Sequence, residues 1–510
     1  MQKGCWLSVL AGAAASLSGC AVGPDYLPPD ISVPTRFGAA SQVSSYAGPP
    51  TAVTSSVRWW QALNDRQLNA LVERAVACNL DIEAALTRVQ RARTEEIVAF
   101  NSLLPKVGIS AGTAAGTGTD LTKGRVADSL RAGSNADGLQ ALSRIAGFDG
   151  GWELDLFGKY RRLLEAAHGD TEALDEMRHA VLITVIADVV RNYVELRALQ
   201  SRLETLRSDV TAAQKVRDVV QTRYDQGLTN ELDVAQAKRE LATLESRLPE
   251  LTAGINAAEN RTAVLLGTYS GAIVPELRRP GRIPHIPERL RSGTPLDLLR
   301  RRPDIRQAER EVAAANARIG ASIADLFPTV AVTAGFGAQG GPVLQNSTPP
   351  IHGPIWSLGP SGYLPFLDFG RLDALIDAQQ LRTDELLLKY KKSILVAVAE
   401  VDDAIKGYRA ARQTLKDVET ALAESRHALD LATGRYERGL TEFLNVVDAE
   451  RQLYTKEDER IVAQEAVALQ FVLLYKALGG GWERYDLLPP IREPEPAIVA
   501  MFRRLSNQWQ

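Results

Sequence analysis

The chain has 510 residues, enough to bury a large core, and 59 basic against 62 acidic side chains leave a formal charge of −3 at neutral pH. Such a balance supplies no basic field for nucleic acid and no acidic tail. His168, His179, His285, His352 and His427 are scattered without metal-ligand spacing, and no nucleophile and base stand together, so the residues argue against an enzyme and imply no cofactor or metal.

Residues 1–19 join one positive charge, Lys3, to an apolar run and a small-residue end, the layout of a secretory signal. Leu17, Ser18, Gly19 and Cys20 resemble the lipobox of bacterial lipoproteins, which makes Cys20 the expected lipid attachment site. Several acyl chains on one residue hold far longer than one. Ala21, in place of the aspartate that retains lipoproteins in the inner membrane, points to the outer membrane. Loss of Lys3 takes the charge from −3 to −4. With Cys5 removed and Cys20 acylated, Cys78 is left alone, so no internal disulfide forms. Its helical setting, VERAVACNLDIEAAL, reads as that of a buried small hydrophobe.

Residues 20–58, with Pro24, Pro28, Pro29, Pro34, Pro49 and Pro50, carry no apolar period and read as an extended tether. From Trp59 to Phe100 the pattern is helical, stopping at Leu103-Leu104-Pro105. A strand–loop–strand unit follows over 103–157. In FDGGWELDLF, Phe148, Gly150, Trp152, Leu154 and Leu156 alternate with Asp149, Gly151, Glu153 and Asp155. Then 68 residues from Lys159 to Gln226 contain no proline, which at 1.5 Å per residue allows a helix of roughly 100 Å. Leu182, Ile186, Val189, Tyr193, Leu196, Leu199, Leu203, Leu206, Val210, Ala213, Val216, Val220 and Tyr224 recur along it with a mean step of 3.5 residues, the heptad period of coiled coils. Gly227-Leu228-Thr229 breaks the pattern, and a second helix completes a hairpin over 159–266.

The remainder repeats this order. RYDQGLT at 223–229 returns as RYERGLT at 435–441, and Phe157-Gly158 as Phe369-Gly370, both offset by 212 residues. LLPKVGISAG returns as LFPTVAVTAG with an offset of 223, so the first copy carries 11 extra residues between its proline and its Phe-Gly. The chain is an internal duplication, 59–280 and 281–480, followed by a segment 481–510. The second copy has a helix over 297–325, a strand–loop–strand unit over 326–369 and a helical hairpin over 371–478. Gly335, Gly337 and Gly340 formally spell G-x-G-x-x-G, but Pro342 follows and no helix opens, so they read as an external loop rather than a phosphate cradle.

Alternating strands suit a soluble sheet with one buried face and equally a barrel with lipid outside and water inside. After the signal, the longest apolar run, near AVLITVIADVV, is too short for a spanning helix. A membrane crossing therefore requires a closed barrel, and four strands cannot close one, since small barrels need about eight. Several chains must contribute.

The ordered set Cys20 then GPDY, Trp59-Trp60, NLDI, LLP, WELDLFG, RRPDIR, LFP and the doubled RYxxGLT resembles the outer-membrane efflux channels of the TolC and OprM type, in their lipoprotein, NodT-like branch. The resemblance implies a mainly helical mixed fold. In it, four strands per chain join a homotrimeric twelve-stranded transmembrane β-barrel, and long antiparallel coiled-coil helices continue as an α-barrel. Helices 60–100 and 297–325, with the C-terminal segment, would belt its middle. It further implies a passive exit duct for drugs and other toxic small molecules, fed by a periplasmic adaptor (membrane fusion) protein and an inner-membrane pump of the RND type. On this reading Gly227, Leu228, Thr229, Gly439, Leu440 and Thr441 are adaptor-docking tips, and Asp233, Arg435, Tyr436, Asn445 and Asp448 surround the periplasmic gate. Asn445 stands where some members have a second acid, which implies a weaker acidic ring. The competing class is a periplasmic coiled-coil lipoprotein without a pore, in which the glycine breaks are plain helix-ending turns.

Overall fold

A computed structural model describes residues 21–29, 31, 34, 58–117, 140–279, 281–287, 301–341 and 351–485. Cys20, the signal, most of the tether and the segment after Tyr485 lie outside the described residues. In chain order the elements are α1 (Arg66–Cys78), α2 (Leu80–Asn101), β1 (Lys106–Thr117), β2 (Gln140–Leu154), α3 (Lys159–Asp225), α4 (Glu231–Leu265), α5 (Ser270–Leu277), α6 (Pro303–Ala324), β3 (Thr329–Gly341), β4 (Ile351–Tyr363), α7 (Arg371–Glu437) and α8 (Phe443–Ala477). One-turn 3-10 helices stand at Trp59–Leu63 and Glu483–Tyr485. The duplication is exact in the hairpins: α3 and α7 each have 67 residues, α4 and α8 each 35.

Contacts divide the chain into two units, both drawing on the long helices. The first takes Met1–Asp30, Arg91–Leu174 and Gln307–Lys391. It holds one antiparallel sheet in the order β1-β2-β3-β4, with the β2–β3 pair joining the two copies. The start of each long helix is set by the repeated Phe-Gly. Asp155 accepts from the backbone of Tyr160 and Arg161, and Asp368 from that of Gly370 and Leu372. Gly158 and Gly370 turn the chain at φ +81° and +80°, the left-handed region that costs glycine little. The rings of Phe157 and Phe327 stack at 4.7 Å.

The tether's first residues are fixed in this unit. Val22 N donates to Phe157 O at 3.1 Å, Arg162 donates to Val22 O, Gly23 O and Asp25, and Asn316 donates to Pro24 O at 2.9 Å. Gly23 lies so close to Gly320 of α6 that an added Cβ would sit 2.4 Å from Gly320 Cα. The expected extended segment is thus extended but pinned.

The second unit takes Ile31–Gln90, Asp175–Arg306 and Lys392–Gln510. Its core is the heptad seam read from the sequence. Leu182, Ile186, Val189, Tyr193, Leu196, Leu206, Val210, Ala213 and Val220 are all buried. Leu206, Val210 and Ala213 pack with Leu241, Leu244 and Leu251 of α4 and Tyr454 of α8. Trp59 packs edge-on against Trp60 and Phe471 and stacks on Tyr475 at 5.5 Å.

Four sequence expectations change. The helical stretch 59–100 is two helices, broken at Asn79, whose buried side chain accepts from Asp81 N and Ile82 N to cap α2 and donates to Leu265 O. Cys78 is exposed rather than buried: Leu68, Leu71, Val72 and Ala75 define the buried face of α1, and the next inward position falls to Asn79. Gly335, Gly337 and Gly340 lie inside β3, not in an external loop. The charges of the helical run VRNYVELRALQSRLE read as a solvated or tunnel-lining face, but Arg197 among them is 2% exposed, donating to Arg279 O and the Gln67 side chain.

Candidate functional site

Two regions bear on the function expected from the sequence, the sheet and the hairpin tips. The sheet's register sorts every described residue onto one of two faces. On one face Ile109, Phe148, Phe336 and Trp356 are directly opposed across the four strands, and Val107, Gly150, Ala334 and Leu358 form the next row. Trp152, Val332 and Pro360 form a third. Ile109, Phe336, Trp356 and Leu358 are between 61% and 80% exposed, an apolar surface that water disfavours. On the other face Gly108, Asp149, Gly335 and Ser357 share a row, and so do Gly151, Thr333 and Gly359. That face is small and polar. Gly147 and Gly337 are opposed so closely that a Cβ at Gly147 would lie 2.6 Å from Gly337 Cα. The β1 and β4 edges have no partner strand among the described residues. Apolar-out, small-and-polar-in alternation on a sheet with two such edges is the pattern of a barrel segment.

At the tips the two copies make the same turn. Gly227 N donates to Tyr224 O and Leu228 N to Arg223 O, both at 2.8 Å; Gly439 N donates to Tyr436 O and Leu440 N to Arg435 O, both at 2.9 Å. This paired bonding is the Schellman motif, which satisfies the last helical carbonyls and needs a left-handed residue. Both glycines have φ +71° with open space around them, so conformation and not crowding demands them. Leu228 and Leu232 project from the first tip and Leu440 and Leu444 from the second, all exposed. Leu232 and Leu444 were not singled out in the sequence; their signal is an i+4 spacing from the turn leucine in both copies.

The copies differ beyond the turn. Thr229 donates its hydroxyl to Asp233, and Asn230 caps α4 through Asp233 N at 3.0 Å. In the second copy Asn445 Nδ2 donates to Thr441 Oγ1 at 2.8 Å, so the residue in the place of a second acid is tied back to its own turn. Asp448 and Arg435 are exposed. Tyr436 is half-buried, 5.4 Å from Phe443, and Arg223 Cζ lies 4.9 Å over its ring. Tyr436 Oη and Arg223 Nε are both buried without a hydrogen-bond partner among the described residues. The structure thus brings Tyr436 to Arg223, a residue of the first copy absent from the expected set; its only sequence signal is that it opens RYDQGLT as Arg435 opens RYERGLT. Val220, Val234 and Ala237 pack with Phe443, Val446 and Val447 beneath this contact.

Farther along the hairpins, carboxylates lie inside the helical packing. Burial, then Glu457 and Asp458 of α8, push Asp209 of α3 up to about 7. Burial and Glu240 of α4 push Glu450 of α8 up to about 7. Among the described residues no cluster of metal-ligating side chains occurs, and no helix is long and apolar enough to cross a membrane.

A sheet built to stand between lipid and water, joined to paired coiled-coil hairpins, defines the outer-membrane channel subunits. The chain belongs to the outer membrane efflux protein family, whose model matches residues 71–268 and 295–480. It is 30% identical over 490 residues to nodulation protein T of Rhizobium leguminosarum bv. viciae, covering 95% of each chain. It is 28% identical over 483 residues to the pyoverdine export outer membrane protein OpmQ of Pseudomonas aeruginosa, covering 93% of this chain and 96% of that protein. Among solved structures, the outer-membrane channel OprN superposes with a TM-score of 0.79 at 32% identity, over 91% of this chain and all of that one. The protein is an outer-membrane efflux channel subunit.

Proposed function

We propose that three copies of the chain close a twelve-stranded barrel and form the passive outer-membrane duct of a tripartite pump, anchored through acylated Cys20. The observation that carries this reading is the sheet: an exposed apolar face, a small polar face and two edges with no partner strand among the described residues. Four strands fall short of the roughly eight that closure requires, so other copies complete it. Leu381, Leu388 and Leu395 of α7, seven residues apart and each more than 60% exposed, supply a coiled-coil seam for those copies.

The tips Gly227, Leu228, Thr229, Gly439, Leu440 and Thr441 dock a periplasmic adaptor, their leucines giving it an apolar grip. An inner-membrane pump of the RND type supplies the energy. Drugs and other toxic small molecules are the cargo, and the duct performs no chemistry on them. Asp233, Arg435, Tyr436, Asn445 and Asp448 form the gate, with Arg223 as an added latch on Tyr436. Repeated about a threefold axis, exposed Asp448 gives a carboxylate ring that favours cations. Single-channel recording in planar bilayers tests this. The wild-type protein gives small, cation-preferring conductance, and Tyr436→Phe with Asp448→Ala, or Arg223→Ala, raises it several-fold. A detergent-stable trimer that conducts nothing in any of these variants removes the gated-duct reading.

A further inference from the structure

Within the first unit the two copies of the duplication meet at three places. β2 pairs with β3, the ring of Phe157 stacks on that of Phe327 at 4.7 Å, and Arg318 of α6 donates to Asp170 of α3. The repeat offsets give each of these residues a counterpart. α3 and α7 correspond end to end at 212 residues, and α2 and α6 at 223. The strands obey both offsets: Phe148 pairs with Ile109 in the first hairpin, and their counterparts Pro360 and Val332 pair in the second. The same junction made between the second repeat of one chain and the first repeat of another therefore has a fixed register. Trp152 opposite Val332 becomes Leu364 opposite Ile109, Phe157 on Phe327 becomes Phe369 on Leu104, and Asp170 with Arg318 becomes Arg382 with Glu95.

That second set is uncovered. Phe366 and Phe369 are 92% and 91% exposed, whereas Leu154 and Phe157, which hold the same places in the first copy, are half-buried. Phe369 also holds φ +54°, a strained backbone for an aromatic residue. Leu364, Ile109 and Leu104 are exposed, as is Arg382. Glu95, exposed too, meets Arg91 of its own helix at 3.5 Å.

The polarity of the charges is reversed between the two junctions. Inside the chain the long helix supplies the acid, Asp170, and the short helix the base, Arg318. In the second set the long helix supplies Arg382 and the short helix Glu95. Exchanging the short helices would set Arg318 against Arg382 and Glu95 against Asp170, and like charges placed face to face repel.

We propose that the exposed β4–α7 corner, Leu364 to Arg382, docks the β1–α2 corner of a second copy of this chain in that register, and that the Arg382–Glu95 pair selects the correct corner. Burial of the phenylalanines and leucines supplies the affinity, and the charges supply the choice of partner. This junction rests on the reading that several copies close the barrel.

The test uses the full-length protein in detergent on unheated gels. Glu95→Arg and Arg382→Glu each reduce the trimer by more than half, and the two together restore it to at least three-quarters of the wild-type level. Circular dichroism stays unchanged in all three, which separates lost docking from lost folding. In a Cys78→Ser background, Leu364→Cys with Ile109→Cys forms a disulfide-linked trimer on oxidation with copper phenanthroline. Leu358→Cys with Ile109→Cys, six residues out of register, does not. A wild-type protein that is monomeric removes the duct reading and this junction together. A wild-type trimer in which the paired reversal rescues nothing, or in which the out-of-register cysteines link instead, overturns the junction and leaves the duct reading standing.

Discussion

Glu450 illustrates how a single buried side chain sets the behaviour of the hairpins. It is 8% exposed on α8 beside Glu240, also 8% exposed, and burial lifts its folded pKa from the ordinary 4.5 to about 7. A carboxyl whose folded pKa is raised binds its proton more tightly in the native state. Its contribution is therefore most favourable below the unfolded pKa and is lost as pH rises from about 4.5 through about 7. Asp209 acts in the same sense. The wild-type protein is accordingly more resistant to heat at pH 5 than at pH 8. Glu450→Gln recovers about 1–3 kcal/mol at pH 8, since each tenfold difference in proton affinity between the two states is worth about 1.36 kcal/mol, and it flattens the profile. Thermal unfolding followed by circular dichroism at both pH values checks this, and an unchanged difference between the two would exclude Glu450 as a source. At this scale the sequence was legible where backbone conformation dictates the residue, as at Gly227 and Gly439. It was not legible where a side chain's role depends on what lies opposite: Arg197, Arg223 and Glu450 look like ordinary helix-surface charges until a second helix covers them.

The elements were the most readable scale. A proline-free run of 68 residues becomes α3 and α7 of 67 residues each, because heptad burial stabilises a helix at every turn and only the Schellman glycine interrupts it. The break at Asn79 escaped because periodicity continues through it, and capping by a single side chain leaves only a faint signal. In the sheet the alternation was clear, while the role of the glycines emerged only from register. Gly337 faces Gly147 across the β2–β3 pair, with Ala146 O only 2.6 Å from any added Cβ. Gly337→Val therefore separates the strands that join the two copies, and heat-resistant oligomer on unheated gels falls by more than half. Gly359→Ser, where an added Cβ meets nothing within 4 Å, leaves it intact. Equal loss in both variants would mean that glycine content, not strand approach, governs assembly. A charge on the opposite face is a separate liability: Phe148→Lys places it in lipid at a cost of about 2–4 kcal/mol near the midplane, read as reduced recovery in the outer-membrane fraction.

For the whole molecule, the exposed leucines of α7 are the clearest demand for company. Leu388→Glu with Leu395→Glu converts a seam into a repulsive face and yields monomer in size-exclusion chromatography with light scattering, while the helix itself persists. A trimer of wild-type mass in this variant would mean that α7 is not an interchain surface. The sequence by itself determined the duplication, the long hairpins, the alternating strands and the need for more than one chain, because period, proline spacing and barrel closure are properties of a linear pattern. Tertiary structure alone decided which residues meet: the row Ile109, Phe148, Phe336 and Trp356, the clamp on Val22–Asp25 and the Arg223–Tyr436 stack. Each joins residues far apart in sequence, and no local rule of spacing encodes a contact whose two halves lie on different elements.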